Sequence, residues 1–326
     1  MASPRTMVEV EDVAKAFGDL QAVDGVSFLV EEGKIFGVIG PDGAGKTTLF
    51  RMLVSLLVPD RGRLRVDGLD PVVDYRELRR RVGYMPGRFS LYSDLSVAEN
   101  LNFFATIFGT TVEANRELID DLYRHLEPFA HRRAGALSGG MKQKLALCCA
   151  LVHKPRVLFL DEPTTGVDAV SRRELWEMLD RLRPAGIAVV VSTPYMDEAE
   201  RCDRVALMTG GSFLAVAPPQ ELAAGYDHPL LAVSLPNQHR LPVLRALRSF
   251  PHACSAYVFG STIHYTDRRD RVDPAEIEGY LHEQGLSGIE ATPIDADIED
   301  VFMALASGTQ RGSETQGISE AREAAG

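Results

Sequence analysis

Residues Gly40 to Thr48 read GPDGAGKTT: a glycine, four free positions, then Gly-Lys-Thr. This pattern cradles phosphate when it joins a buried strand to a helix. The flanks supply both. Ile35-Phe36-Gly37-Val38-Ile39 is an apolar run of parallel-strand character, and Thr47–Val54 carries an apolar helical face. Strand, loop and helix together aim backbone N–H groups and the positive end of a helix at an anion. The candidate nucleotide-binding residues are therefore Gly40, Pro41, Asp42, Gly43, Ala44, Gly45, Lys46, Thr47 and Thr48. In this pattern Lys46 reaches β- and γ-phosphates, and the Thr47 hydroxyl ligates Mg²⁺. The bland alternative is a glycine-rich turn that only connects a strand to a helix.

Around this loop, β-branched runs alternate with helical patterns from Met7 to about Ala217. The strand-like runs are Val8–Val13, Val26–Val30, Ile35–Ile39, Leu64–Asp67, Val157–Leu160, Ala188–Ser192, Val205–Met208 and Phe213–Val216. A helix-rich interval at about 93–152 interrupts them, which predicts an α/β nucleotide domain over 1–217 with a helical subdomain. After Pro218-Pro219 the rhythm changes. Leu230–Leu235, Leu241–Phe250, Ala256–Phe259, Thr262–Tyr265, Pro274–Gln284 and Gly288–Thr292 read β-α-β-β-α-β, the order of a small ferredoxin-like α+β domain over 218–306. Ile298–Ala306 adds an amphipathic helix, and the polar composition of 307–326 predicts a disordered tail.

At 326 residues the chain accommodates two domains, and 45% hydrophobic content supports real cores. The net charge of −11 argues against a nucleic-acid partner. Cys148, Cys149, Cys202 and Cys254 are not spaced as a metal clamp or redox pair, which fits a reducing compartment. No apolar run approaches the roughly 18–20 residues that cross a bilayer, so a membrane role is expected to come through a partner.

Two further stretches carry chemistry. Val157-Leu158-Phe159-Leu160-Asp161-Glu162-Pro163 is an apolar strand ending in two carboxylates, at the sheet edge where α/β folds bind ligands. Asp161 is the candidate to hold Mg²⁺ through water, and Glu162 to polarise an attacking water. An ordinary Asp-Glu-Pro turn is the alternative. In Leu137-Ser138-Gly139-Gly140-Met141-Lys142-Gln143-Lys144-Leu145, Ser138 and two glycines precede a helix, either as a simple N-cap or as donors to a γ-phosphate.

Walker A (Gly40–Thr47), Walker B (Val157–Asp161, then Glu162) and LSGGMKQKL occur in order, and through them the chain strongly resembles the ATP-binding-cassette (ABC) ATPases over residues 7–217. The resemblance implies the P-loop NTPase cassette fold, a mixed-sheet core with a helical subdomain, and Mg-ATP hydrolysis. It also implies a head-to-tail dimer in which Ser138, Gly139 and Gly140 complete the site of the other subunit, and Asp168, in Thr165-Gly166-Val167-Asp168, communicates across it. Phe17 stands where the family keeps an aromatic ring against adenine, with a plain core phenylalanine as the alternative.

Two positions depart from the family pattern. Gly87 replaces the Q-loop glutamine, and Pro194 the histidine of the switch region. Neither offers a side-chain donor, so the chain's own site is expected to bind Mg-ATP and turn it over slowly; a functional homodimer that tolerates both substitutions is the alternative. With the Pro-Asp-Gly variant of the loop, the pattern resembles the degenerate amino-terminal cassette of tandem-ATPase, ABC-2-type multidrug exporters. The implied partners are an integral-membrane permease and a second ABC ATPase, identical or different, at the cytoplasmic face of the membrane. In such exporters the surface bearing Leu95–Phe104 receives helices of the permease; of Phe103 and Phe104, one is expected in the subdomain core, since adjacent helical positions cannot share a face. Pro293–Phe302 resembles the closing helix of exporter ATPases. The competing reading is a regulatory or soluble ABC ATPase without transport. The transported substrate has no signature in the chain.

Overall fold

A computed structural model describes residues 5–235 and 240–308, so the expected tail lies outside the described residues from 309 onward. The chain divides into two units between Pro218 and Pro219.

The first unit opens with a three-stranded antiparallel sheet. Its strands β1 (Thr6–Phe17), β2 (Leu20–Glu31) and β4 (Arg61–Val66) lie in the order β2-β1-β4. Between β2 and β4 the chain forms β3 (Ile35–Ile39) and α1 (Lys46–Leu53). After β4 come α2 (Tyr75–Arg81), β5 (Val82–Met85), α3 (Val97–Ile107), α4 (Arg116–Leu126), α5 (Gly139–Leu151), β6 (Val157–Asp161), α6 (Ala169–Leu182), β7 (Ala188–Thr193), β8 (Arg204–Thr209) and β9 (Ser212–Ala217). The second sheet runs β5-β6-β7-β3-β8-β9, parallel except for β9.

Every residue of β3, β6 and β7 is buried. Covered on both faces, these strands read as continuous apolar runs and were legible as such. The core between the two sheets is built on Phe36, stacked on Phe28 at 4.6 Å, and on Phe50 edge-to-face with Phe159 at 6.1 Å. Strands β1 and β2 extend well beyond their apolar centres, because pairing with each other recruits polar flanks that period alone leaves out. Strand β5 is absent from the strand-like runs above: four residues following a helix give too short a pattern.

The helical interval holds α3, α4 and α5. Ser96 and Glu99 form a reciprocal capping box that starts α3. The buried face of α3 is Val97, Asn100, Leu101 and Ala105. This corrects the expectation for Phe103 and Phe104, neither of which lies in the core. Phe103 is 37% exposed and packs edge-to-face on Tyr92, and Phe104 is half-buried beside it.

Asp67 ties distant parts of this unit together. Its buried carboxylate accepts from Arg5 at 2.6 Å and Arg81 at 2.9 Å, and Arg156 stands 3.8 Å away. The three guanidinium groups remain partly solvated, so the loss on Asp67→Asn is expected to be about 1–3 kcal/mol, the range for an uncompensated buried polar group. Urea unfolding of the purified chain, followed by emission of the single tryptophan, Trp176, which lies in this unit, checks this; a midpoint equal to wild type would show the cluster to be neutral.

The second unit contains α7 (Pro219–Ala224), β10 (Leu230–Ser234), α8 (Arg240–Ser249), β11 (Ala253–Phe259), β12 (Thr262–Asp267), α9 (Pro274–Glu283), β13 (Glu290–Ile294) and α10 (Ile298–Ser307). Its sheet is antiparallel throughout, in the order β11-β12-β10-β13. Leu231, Val233, Ile263 and Tyr265 from the sheet bury against Val243 and Leu247 of α8 and Ile277 and Leu281 of α9. Helix α10 begins at a capping box between Asp297 and Asp300, and the buried Asp300 pairs with His264 of β12 at 2.8 Å. The acidic start of this helix thus has a local cause, carboxylates at a positive helix end.

Candidate functional site

Adjacent strands β6, β7 and β3 run parallel, so their carboxyl ends lie side by side. The loop 40–48 leaves β3, Asp161 ends β6, and Pro194 follows β7 directly. Gly40 N–H donates to Thr193 O at 3.2 Å, joining the phosphate loop to the turn at 194.

Two glycines of the loop, Gly40 and Gly45, are required by its surroundings. A Cβ on Gly40 would lie 2.1 Å from Met208 O, and one on Gly45 2.2 Å from Ala22 O, where φ is also +110°. Around Gly43 there is open space. The first amides of a helix have no acceptor within it, and α1, starting at Lys46 with no side-chain cap and no acidic residue in its first turn, offers them no capping side chain either. Pro41 and Asp42 are exposed at the loop's tip, Ala44 is buried beneath it, and Thr47 and Thr48 open the helix.

Lys46 is only 3% exposed. Its ammonium donates to Gly40 O at 2.8 Å and Pro41 O at 3.0 Å, and stands 3.1 Å from a Glu162 carboxylate oxygen. Asp161 is buried and accepts from Ser192 Oγ at 2.7 Å. Burial pushes its carboxyl above the usual range, and nearby Glu162 adds to this; hydrogen bonds from the Ser192 and Thr47 hydroxyls and the charge of Lys46 act the other way. Glu162 has φ +52°, a left-handed conformation that costs free energy in a non-glycine residue and clusters at functional sites. Its N–H donates to Ser192 O at 3.1 Å and Ser192 Oγ at 3.0 Å.

Ser192 is thus a residue of this site that pattern reading missed. Its role comes from the pairing of β6 with β7, Asp161 opposite Ser192, which no local sequence signal specifies. Gly87 adjoins the same carboxylates: a Cβ there would lie 3.0 Å from Asp161 O and 3.7 Å from Glu162 Cβ. The site therefore gathers Lys46, Thr47, Asp161 and Glu162, with Gly87 and Pro194 on its rim offering no side-chain donor.

Ser138, Gly139 and Gly140 form a second grouping. Ser138 caps α5, its hydroxyl accepting Met141 N–H at 3.4 Å. A Cβ on Gly139 would meet Gly166 O at 3.5 Å, and one on Gly140 would meet Ser171 Oγ at 2.6 Å. Asp168 caps α6, accepting from the N–H groups of Val170 and Ser171 and from the Ser171 hydroxyl at 2.8 Å. Hydrogen bonds from the Ser171 amide and hydroxyl hold its carboxyl below the usual range. Among the described residues no hydrogen bond or ion pair joins 138–140 to 40–48.

Phe17 ends β1 and is 50% exposed, with Lys15 Nζ 5.7 Å from its ring, so it is no core residue. It pairs with Leu20 across the β1–β2 hairpin, whose second strand passes the phosphate loop at Ala22.

Loop cradle, buried ammonium and paired carboxylates fit a nucleoside triphosphate with a divalent cation, and comparison with known proteins agrees. A sequence model of the family described as "ABC transporter" matches residues 23–165. The chain is 35% identical over 306 residues to the "Nod factor export ATP-binding protein I" of Rhizobium sp. (strain N33), covering 92% of this chain and 97% of that protein. It is 41% identical over 309 residues to the protein of the same name from Burkholderia lata, covering 93% and 97%. It is 39% identical over 292 residues to the "Probable multidrug ABC transporter ATP-binding protein YbhF" of Escherichia coli (strain K12), and spans 50% of that longer protein. Among solved structures, an ATP-binding subunit of an ABC transporter superposes with TM-score 0.62 at 27% identity, over 67% of this chain and 92% of that one. The ATP-binding cassette MJ0796, a dimer bound to ADP and Pi, superposes with TM-score 0.59 at 27% identity, over 65% and 98%.

Proposed function

Since this chain belongs to the ABC transporter ATP-binding proteins, with the cassette fold and the ATPase activity of that family, we propose that it energises an ABC-2-type exporter from a degenerate site. The observation that carries the reading is the single cluster of Lys46, Asp161 and Glu162 with donor-less positions 87 and 194 beside it.

In this reading Lys46 leaves Glu162 for the β- and γ-phosphates, while the amides opening α1 bind phosphate oxygens. Thr47 and, through water, Asp161 hold Mg²⁺, which supplies neutralisation of charge on the phosphates. Phe17 lies against the adenine ring. Glu162, released from Lys46, accepts a proton from the attacking water. In this family's reaction Gly87 and Pro194 withhold two groups that would align that water and the γ-phosphate, so chemistry at this site is slow. Ser138, Gly139, Gly140 and Asp168 serve the site of a second ABC ATPase across a head-to-tail interface. Residues 219–308 form a ferredoxin-like accessory domain, supported by the order β11-β12-β10-β13 and its β-α-β-β-α-β succession.

The transporting partner is an integral-membrane permease of the ABC-2 type, with this chain held at its cytoplasmic face. No described helix is long and apolar enough to cross a membrane. The cargo class follows the relatives only as far as their names, multidrug or Nod factor export.

Steady-state ATPase of the purified chain, alone and then mixed with a second ABC ATPase that keeps glutamine and histidine at the positions of Gly87 and Pro194, tests the reading. A low rate alone is expected, raised about 10²-fold or more in the mixture, the worth of a transition-state donor that the partner's own site retains. Fast hydrolysis by the lone chain would contradict it.

A further inference from the structure

Three segments of the first unit meet at one buried carboxylate. Glu198 is 2% exposed, and one of its oxygens accepts from Thr164 Oγ1 at 3.1 Å. Thr164 stands two residues beyond Glu162. The other oxygen of Glu198 faces Arg172 Nε at 3.5 Å, and both of these buried atoms lack a hydrogen bond. Arg172 belongs to the first turns of α6, the helix that Asp168 caps. Its guanidinium lies 4.1 Å from the Tyr195 ring centre, and its Nη1 is 3.5 Å from Asp197.

We propose that Arg172 is a positioning residue for Glu162, resting on the reading that Glu162 activates water. Pro194 cannot anchor the turn after β7 through its side chain. Arg172 does so instead, gripping Tyr195, Asp197 and Glu198 on the far side of that proline. Through Glu198 and Thr164 the same grip reaches the backbone of Glu162. The Arg172–Glu198 separation of 3.5 Å is about 0.6–0.8 Å longer than a charge-assisted hydrogen bond, so a closing movement of that size converts a bare charge contact into a bond. Phosphate taking Lys46 away from Glu162 supplies that movement, passed along Pro163 to Thr164. The geometry therefore makes α6 respond to nucleotide, together with Asp168 at its start.

The chain carries its own reporter. Its single tryptophan, Trp176, is buried on α6, one turn beyond Arg172 and on the same face. The test titrates the full chain with Mg-ATP, reading heat of binding and Trp176 emission in parallel. Wild type is expected to show a saturable emission change with the same midpoint as the heat. Arg172→Lys, which keeps a charge opposite Glu198, and Glu198→Gln, which keeps an acceptor for Thr164, are each expected to lose most of that change. Their affinity stays within about threefold of wild type. In single-turnover assays of the lone chain at saturating nucleotide, the rate of hydrolysis at this site falls about tenfold at equal occupancy. Tyr195→Phe, which keeps the ring beneath the guanidinium, retains the emission change. An Arg172→Lys response of wild-type size, or wild-type binding without any emission change, overturns the proposal. Absence of binding heat would instead remove the ATP-binding reading on which it stands.

Discussion

Lys46→Ala is expected to weaken Mg-ATP binding by about 10²–10³-fold, the cost of truncating one partner of a buried, hydrogen-bonded charge pair. The effect has two physical sources. The phosphates lose a charge-assisted donor held in a nearly water-free position. Glu162, whose carboxylate lies 3.1 Å from the Lys46 ammonium, keeps its charge with no counter-ion beside it and repels the incoming phosphates. The loop also loses the two carbonyl contacts that Lys46 makes to Gly40 and Pro41. Lys46→Ala/Glu162→Gln separates these sources by removing the repulsion while leaving the donor absent. It is expected to recover part of the affinity and none of the turnover. Calorimetric titration of the three proteins checks this. Equal affinity in wild type and Lys46→Ala would exclude the phosphate role.

Pro194→His is expected to raise turnover at this site by about 10²-fold, the usual worth of one transition-state donor. Thr193, just before it, is the last residue of β7, so the imidazole would project from a fixed strand end beside the phosphate loop. Proline also constrains the residue before it to extended backbone, which β7 already adopts, so its removal relieves no strain. Gly87→Gln is expected to add less than the histidine does. A Cβ at 87 lies 3.0 Å from Asp161 O, so that backbone must give by a few tenths of an ångström before the amide can reach its position. The two gains are not expected to multiply, because both groups act on one water. Multiple-turnover ATPase of the single and double variants reads this out; a Pro194→His rate equal to wild type would show that the missing imidazole does not limit the chemistry.

The parts of this site legible in the sequence were those in which strand, loop and helix are contiguous. Ile35–Ile39, the glycine loop and the helix after it announce themselves, because the strand is wholly buried and close backbone approach dictates glycine at 40 and 45. Asp161 and Glu162 were legible for the same reason, two charges ending a wholly buried strand. Ser192 and Arg172 were not. Each owes its place to pairing or packing between segments some twenty residues or more from its partners, such as the match of Asp161 with Ser192. Phe103 and Phe104 failed in the opposite sense: the apolar residues were seen, but the helix buries Asn100 and Ala105 and leaves the rings to an aromatic surface cluster with Tyr92. Asn100 is affordable inside because its amide donates to the carbonyls of Tyr92 and Ser96.

Binding and chemistry can be separated in one tube by mixing the chain in excess over radiolabelled Mg-ATP and quenching at intervals. A site that clamps nucleotide while lacking donors at 87 and 194 should retain the label on protein as intact ATP, with Pro194→His releasing phosphate at least tenfold faster from an equally filled site. Prompt conversion to ADP by the wild-type chain, at a rate the histidine does not improve, would contradict it.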